Sequence, residues 1–281
     1  MTTSTQQQLQ RHLMQARFEI LPLPGTMDQV GALSRDATVT VTSSSAKGTE
    51  ATLDLATRLR REGFHVVPHL AARLITDRAH LSQLCDRIAE AGISEVFVIA
   101  GDAPTAAGEF PGALSLLQAM DELGIRPRRV GITGYPEPHA FIPDTTTVQA
   151  LDEKSRYADY IVSQICYDPT TIRSWVESLR ERGVTLPVYI GAPGSVDPKK
   201  LLRISMKIGL GQSMRFLRKQ NGMVTKLLTR YTPENIFDEL GPYLLTPNYG
   251  IAGWHLFTFN EITRTQKWVE DMAARLQEVP A

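Results

Sequence analysis

HVVPHL at residues 65–70, a polar–apolar segment over 76–91 and EVFVIAGD at 95–102 read as strand, helix, strand. The two apolar runs have the length of buried strands. Between them Leu81, Leu84, Cys85 and Ile88 fall on one face at helical spacing. Thr76 or Asp77 can cap that helix, and Gly92 stops it. The same pattern extends both ways. Upstream lie RFEIL (17–21) and TVTVTS (38–43); downstream lie RVGITGYPE (129–137), YIVSQICYD (160–168), PVYIG (187–191) and WHLFTFN (254–260).

Helix-like segments fill the gaps. Residues 49–62 end at Gly63, 112–123 at Gly124, and 170–182 at Gly183. In the last of these Ile172, Trp175, Val176 and Leu179 make one face. A short helix is expected near 27–34. A long helical stretch is expected over roughly 198–240, broken near Gly209, Gly222 and Pro233. Helix, glycine, strand, repeated this often, is the pattern of alternating α/β structure. Eight strand–helix units predict a (βα)8 TIM barrel, one domain over 1–281, with residues 1–15 a polar lead-in or a short capping helix. A doubly wound open sheet is the alternative, but no GxGxxG follows the first strand.

Composition narrows the function classes. The 281 residues carry 30 Lys+Arg against 30 Asp+Glu, a formal net charge of zero, with no basic excess to grip a nucleic acid. The densest basic stretch, Arg215, Arg218 and Lys219, reads as a solvated helix face. Cys85, on a helix, and Cys166, in a strand, suit neither a disulfide framework nor a zinc site. No apolar run approaches the roughly 20 residues of a membrane span. The polar start MTTSTQQQLQ lacks a signal-peptide core, so a cytoplasmic protein is expected.

Barrel enzymes place their chemistry at the C-terminal strand ends. Glu19, His69, Asp102, Glu137, His139 and Gln164 are therefore expected to face one cavity. Glu19 lies between Phe18 and Ile20. It is either half of a structural ion pair or a carboxyl whose pKa an apolar pocket raises. Asp102, after Gly101, is either a turn residue or an acceptor for a ligand's NH groups. GYPEPH (134–139) holds Tyr135, Glu137 and His139 on a loop stiffened by two prolines. Gln164 either bonds neighbouring strands or reads a polar heterocycle. His69, Asp102, His139 and His255 lack HxH or HExxH spacing, so no metal is expected. SSS (43–45) lacks nucleophile-elbow glycines; with Lys47 and Gly48 it reads as a rim loop, a candidate phosphate contact.

Taken in order, FE (18–19), VT (41–42), PHL (68–70), GD (101–102), YPExH (135–139), Gln164 and HxxTxN (255–260) resemble the methylenetetrahydrofolate reductase family. The resemblance runs over nearly the whole chain. It implies a (βα)8 barrel that reduces 5,10-methylenetetrahydrofolate to 5-methyltetrahydrofolate with NAD(P)H, usually through FAD. It assigns Glu19 to the catalytic acid and Asp102 and Gln164 to the pterin. Thr42, His69, Gly101, Tyr135 and His139 are assigned to the cofactor side. NADH is preferred over NADPH on the same resemblance.

Departures fall on the flavin side. Flavin-binding members commonly have Arg-Gly-Asp at the fourth strand, where this chain has Ala100-Gly101-Asp102. A basic pair reads Glu153-Lys154, and expected Asp and Asn positions read Thr147 and Ala150. Hydride transfer through FAD and direct transfer from the nicotinamide both stay open, as does reaction in the reverse direction. Two other classes are retained as alternatives: another barrel enzyme, such as a lyase or metal-dependent hydrolase, and a non-catalytic folate or nucleotide binder. Oligomeric state is not legible.

Overall fold

A computed structural model describes residues 3–138, 142–207, 233–246 and 248–278. Eight strands, all parallel, close into a barrel in sequence order. They are β1 (Arg17–Ile20), β2 (Thr38–Val41), β3 (His65–Ala71), β4 (Glu95–Ile99), β5 (Arg129–Gly134), β6 (Tyr160–Ser163), β7 (Val188–Pro193) and β8 (Ile251–Phe257). The described helices are α1 (Thr3–Met14), α2 (Thr26–Val30), α3 (Gly48–Arg61), α4 (Arg78–Glu90) and α5 (Ala113–Glu122). Then follow α6 (Asp144–Lys154), α7 (Pro169–Glu181), α8 (Pro198–Lys207), α9 (Glu234–Leu244) and α10 (Ile262–Glu278). The (βα)8 expectation is met.

Local chemistry explains the punctuation. Asp77 caps α4 by accepting the His80 amide at 2.8 Å, and Asp168 caps α7 through the Thr170 amide at 3.0 Å with Pro169 in the first turn. Four of the helices end two residues before a glycine with positive φ (Gly63, Gly92, Gly124, Gly183), a backbone state that side-chain-bearing residues avoid.

Each strand divides its side chains by parity. Phe18, Ile20, Val39, Val41, Val66, Leu70, Val96, Val98, Val130 and Ile132 point outward into the main core beneath the helices. Inside the barrel, Val67, Phe97, Tyr160 and Val162 form a separate apolar cluster against Ile99 and Tyr189. The N-terminal end is plugged by charge. The Arg17 guanidinium stacks on Tyr160 and Tyr189, 4.6 and 4.8 Å from their ring centres, and donates to Glu95 at 2.5 Å and to the Tyr160 hydroxyl at 2.9 Å. His65 and Arg129 approach the other Glu95 oxygen at 3.0 and 3.5 Å. Burial alone would push the Glu95 carboxyl up, but His65, Arg17 and Arg129 hold it down at about 2. Gly131 makes room for the plug: a Cβ there would lie 2.2 Å from Tyr160 Cζ.

Some boundaries differ from those read in the sequence. β6 stops at Ser163, so Cys166 lies in the following loop rather than in a strand, still buried. Gln164 is likewise one residue past the strand, its amide donating to Gly134 O at 2.7 Å. β8 starts at Ile251, three residues before the apolar run, because Ala252 and Gly253 hide it from a hydrophobicity count. In the 198–240 stretch, α8 and α9 are helical and α9 begins after Pro233. The breaks at Gly209 and Gly222, and the basic stretch at 215–219, lie outside the described residues.

Candidate active site

β1 carries Arg17 and Glu19 inward at successive levels, the arginine in the plug and the glutamate above it. Glu19 Oε2 lies 3.0 Å from His255 Nε2 on the neighbouring strand β8, and 3.7 Å from His69 Nε2 on β3. The two imidazoles are buried, whereas the Glu19 side chain keeps 15% of its surface open. His69 packs on Phe97 with ring centres 4.8 Å apart, and His255 on Phe257 at 4.9 Å.

These neighbours set the protonation states. Burial pushes the Glu19 carboxyl above its ordinary range, with His69 opposing. Burial pushes His69 down to about 4, partly offset by Glu19, and pushes His255 well below its usual value with help from Arg17. Low-dielectric surroundings thus shift all three groups toward their neutral forms. An acid held in this form can donate a proton near neutral pH.

The backbone of Glu19 is clamped by the turn after β8. Thr258 donates to Glu19 O through its amide at 3.2 Å and its hydroxyl at 2.6 Å. The Asn260 carboxamide accepts from the Leu21 amide at 2.7 Å and donates to Leu21 O at 3.1 Å and to Thr26 Oγ1 at 2.7 Å. Asn260 reaches this position at φ 62, preceded by Phe259 at φ 47. Asparagine tolerates that region; phenylalanine there is strained, and strain of this kind gathers at functional sites. His255 and Asn260 stand in the quoted HxxTxN string, but nothing in the string says that its histidine meets Glu19, 236 residues away. Inward parity on β8, shared with Gly253 and Phe257, is the signal that would have paired them.

The remaining residues spread around the same end of the barrel. Asp102, three residues beyond β4, is exposed, and its Oδ1 accepts the Ser45 amide at 2.8 Å, joining the loops after β2 and β4. Gly101 before it has φ 92, and its Cβ position is only 3.0 Å from Ala71 Cβ. Gln164 turns its carbonyl back to the Ile165 amide at 2.9 Å. Thr42 extends the β1–β2 pairing by donating its amide to Ile20 O at 2.9 Å, and its hydroxyl is buried without a partner among the described residues. Tyr135 lies beside Thr133, its hydroxyl pKa raised by burial. Glu137 is buried and accepts from the Cys166 thiol at 3.3 Å. His139 lies outside the described residues. Thus Glu19 and His69 lie 3.7 Å apart, while Thr42, Asp102, Tyr135 and Gln164 stand just past the C-terminal ends of their strands.

Lys154 was legible only as half of a pair. It is buried, with Nζ 3.3 Å from Thr133 O and 3.5 Å from Thr133 Oγ1, and burial lowers its pKa to about 8. Its neighbour Glu153 instead accepts from Gln149 on α6 at 2.8 Å.

Fold and site together define a (βα)8 barrel with a partly buried carboxyl at the C-terminal end of its strands. The chain belongs to the methylenetetrahydrofolate reductase family, whose sequence profile matches residues 22–194. That match includes Thr42, His69, Asp102, Tyr135 and Gln164; Glu19 and His255 lie outside it. Among solved structures, a Clostridium thermocellum protein that binds two copies of 5-methyl-5,6,7,8-tetrahydrofolic acid is similar. It shares a TM-score of 0.65 and 12% identity over 95% of this chain and 98% of that one. Two structures of oxaloacetate acetylhydrolase also share the fold. One, in complex with the inhibitor 3,3-difluorooxalacetate, has TM-score 0.51 and 8% identity over 98% of this chain and 86% of that one. The other has TM-score 0.52 and 9% identity over 95% and 85%.

Proposed function

We propose that this protein is an oxidoreductase that reduces 5,10-methylenetetrahydrofolate to 5-methyltetrahydrofolate, taking hydride directly from NAD(P)H, with Glu19 as general acid. The observation that carries the reading is the Glu19 carboxyl at the C-terminal end of the barrel, 3.0 Å from His255 and 3.7 Å from His69, its pKa raised by burial. The methylene carbon bridges N5 and N10 of the folate. A proton from Glu19 lets N10 leave, and the electron pair of the broken C–N bond stays on N10. The cation at N5 then accepts hydride at the methylene carbon, which becomes the N5-methyl group while the nicotinamide is oxidised. Glu19, left as carboxylate, regains a proton from solvent before the next turnover.

Asp102 and Gln164 are proposed to orient the pterin. One Asp102 oxygen is committed to Ser45. The other is proposed to accept from the exocyclic amine, its negative charge favouring the cationic intermediate. The family membership and the 5-methyltetrahydrofolic acid bound by the Clostridium thermocellum neighbour support a folate ligand.

FAD would bring a pyrophosphate that needs cationic donors. At the β4 rim Ala100 offers none. On α6, Glu153 is acidic, and Lys154 is buried against Thr133 with its pKa lowered to about 8. Among the described residues at these two positions the donor set does not fit a flavin pyrophosphate, so no step is routed through flavin. Thr42, His69, Gly101, Tyr135 and His139 are proposed instead to line the nicotinamide side, with NADH the preferred donor.

The test is an absorption spectrum followed by an assay. The purified protein is expected to lack the flavin band near about 450 nm. It is also expected to oxidise NADH when given methylenetetrahydrofolate without added FAD. Absence of folate-dependent oxidation, with or without FAD, would refute the assigned reaction.

A further inference from the structure

Resting on the proposed reduction, we propose that His255 is a positioning residue held as the Nε2–H tautomer: it donates to Glu19 Oε2, so that the acidic proton resides on Oε1 toward the cavity, and it stabilises the carboxylate left when that proton departs. Two hydrogen-bond patterns fit the 3.0 Å contact. In one, Glu19 Oε2 carries the proton and donates to a bare Nε2. In the other, Nε2 carries the proton and Oε2 accepts.

The surroundings distinguish them. His255 Nδ1 is buried and has no partner among the described residues. Putting the imidazole proton there would leave a buried N–H without an acceptor, a rarer and costlier defect than an unused lone pair. Protonation at Nε2 satisfies the N–H and leaves only the Nδ1 lone pair unpaired. It also frees the acid proton for the other carboxyl oxygen. If Oε2 carried the proton, the acid would be engaged with an imidazole instead of with N10.

The second pattern also strengthens during the reaction. A hydrogen bond to a carboxylate is roughly twice as strong as one to a neutral carboxyl. The His255 donor therefore stabilises the state after proton transfer more than the state before it, the differential interaction that lowers a barrier. The other titratable groups facing the pair are His69 from β3, 3.7 Å from Oε2, and Arg17 beneath it on β1. Phe97 and Phe257 pack against the two rings. Among these neighbours His255 alone is within hydrogen-bonding distance of the Glu19 carboxyl.

Two measurements on the full chain test this. The first needs no turnover. In protein carrying 15N-histidine, with His255→Gln used to assign the signal, the His255 resonances are expected to be those of a neutral imidazole protonated at Nε2. Protonation at Nδ1 overturns the proposal whatever the reaction is.

The second uses kinetics. His255→Phe is expected to lower kcat roughly 100-fold, as loss of a preorganised donor does, with little change in KM for the folate. His255→Gln, which keeps an N–H donor, should recover most of that loss. Activity requires protonated Glu19 and falls as pH rises through its pKa. Removing a donor to the carboxylate raises that pKa, so the alkaline limb in His255→Phe should move to higher pH. An unmoved limb would mean a merely structural role, and a shift to lower pH would mean that His255 accepts the Glu19 proton; either overturns the proposal. Wild-type protein that shows the Nε2–H tautomer yet no folate-dependent NADH oxidation would leave the hydrogen bond standing and remove the proposed function.

Discussion

Glu19 is the residue on which the chemistry turns. Replacing it with glutamine preserves shape and hydrogen-bonding capacity but removes the transferable proton. Glu19→Gln should cut kcat by about 100-fold to 10,000-fold while folate binding, followed by isothermal calorimetry, stays near the wild-type value. Retained turnover would refute the assigned role. This residue stood out in the sequence because a carboxylate inside an apolar run needs a reason. Parity did the rest, since Arg17 and Glu19 share a face two residues apart. Its partner was far less legible. His255 reads as one more polar residue in an apolar string, and only barrel closure, which pairs β1 with β8, brings Arg17 opposite His255 and Glu19 opposite Phe257. The unusual φ of Phe259 and Asn260 was equally invisible, because strain is a property of the folded turn.

At the scale of elements, the turn after β8 fixes the exit of β1. Asn260 bonds both backbone groups of Leu21, and the Thr26 hydroxyl shares the carbonyl at 3.0 Å. Asn260→Ala should leave the Leu21 amide without its acceptor, while Leu21 O keeps the Leu23 amide and the Thr26 hydroxyl, and cost about 1–3 kcal/mol, seen as a lowered Tm. Activity at a temperature where the variant is fully folded should also fall, because Glu19 sits two residues from the lost anchor. A variant as stable as the wild type would show that water replaces the clamp without penalty. Strand and helix order followed from periodicity and glycine stops, both local signals. Strand ends did not: Gln164 and Cys166 continue an apolar run that the structure bends into a loop, and β8 begins in residues too small to register.

At the scale of the whole molecule, buried histidines couple stability to pH. His69 has a pKa of about 4 in the folded chain against an ordinary 6.5, and His255 shifts the same way. The unfolded chain therefore takes up these protons first as pH falls. Their contribution is complete above 6.5 and is lost progressively toward about 4. Glu19 works in the opposite sense, since its raised pKa favours the fold at low pH and is lost as pH rises through the folded value. Glu95, held at about 2, contributes above its ordinary 4.5 and fades only in stronger acid. Thermal stability should therefore fall between pH 6.5 and 4. His69→Gln should flatten that slope, and an equally steep decline in the variant would show that other groups govern it.

The Arg17–Glu95–Tyr160 plug has a kinetic corollary. Among the described residues the plug closes the floor of the barrel, so donor and folate are expected to share one doorway at the opposite end. A flavin lodged inside would let donor and folate take turns at that doorway, giving parallel lines in a double-reciprocal plot. Direct transfer instead requires both guests to be present together, so initial rates measured across a grid of NADH and methylenetetrahydrofolate concentrations should give lines that intersect. Parallel lines would point to a reduced enzyme form that outlives the departure of the oxidised nucleotide.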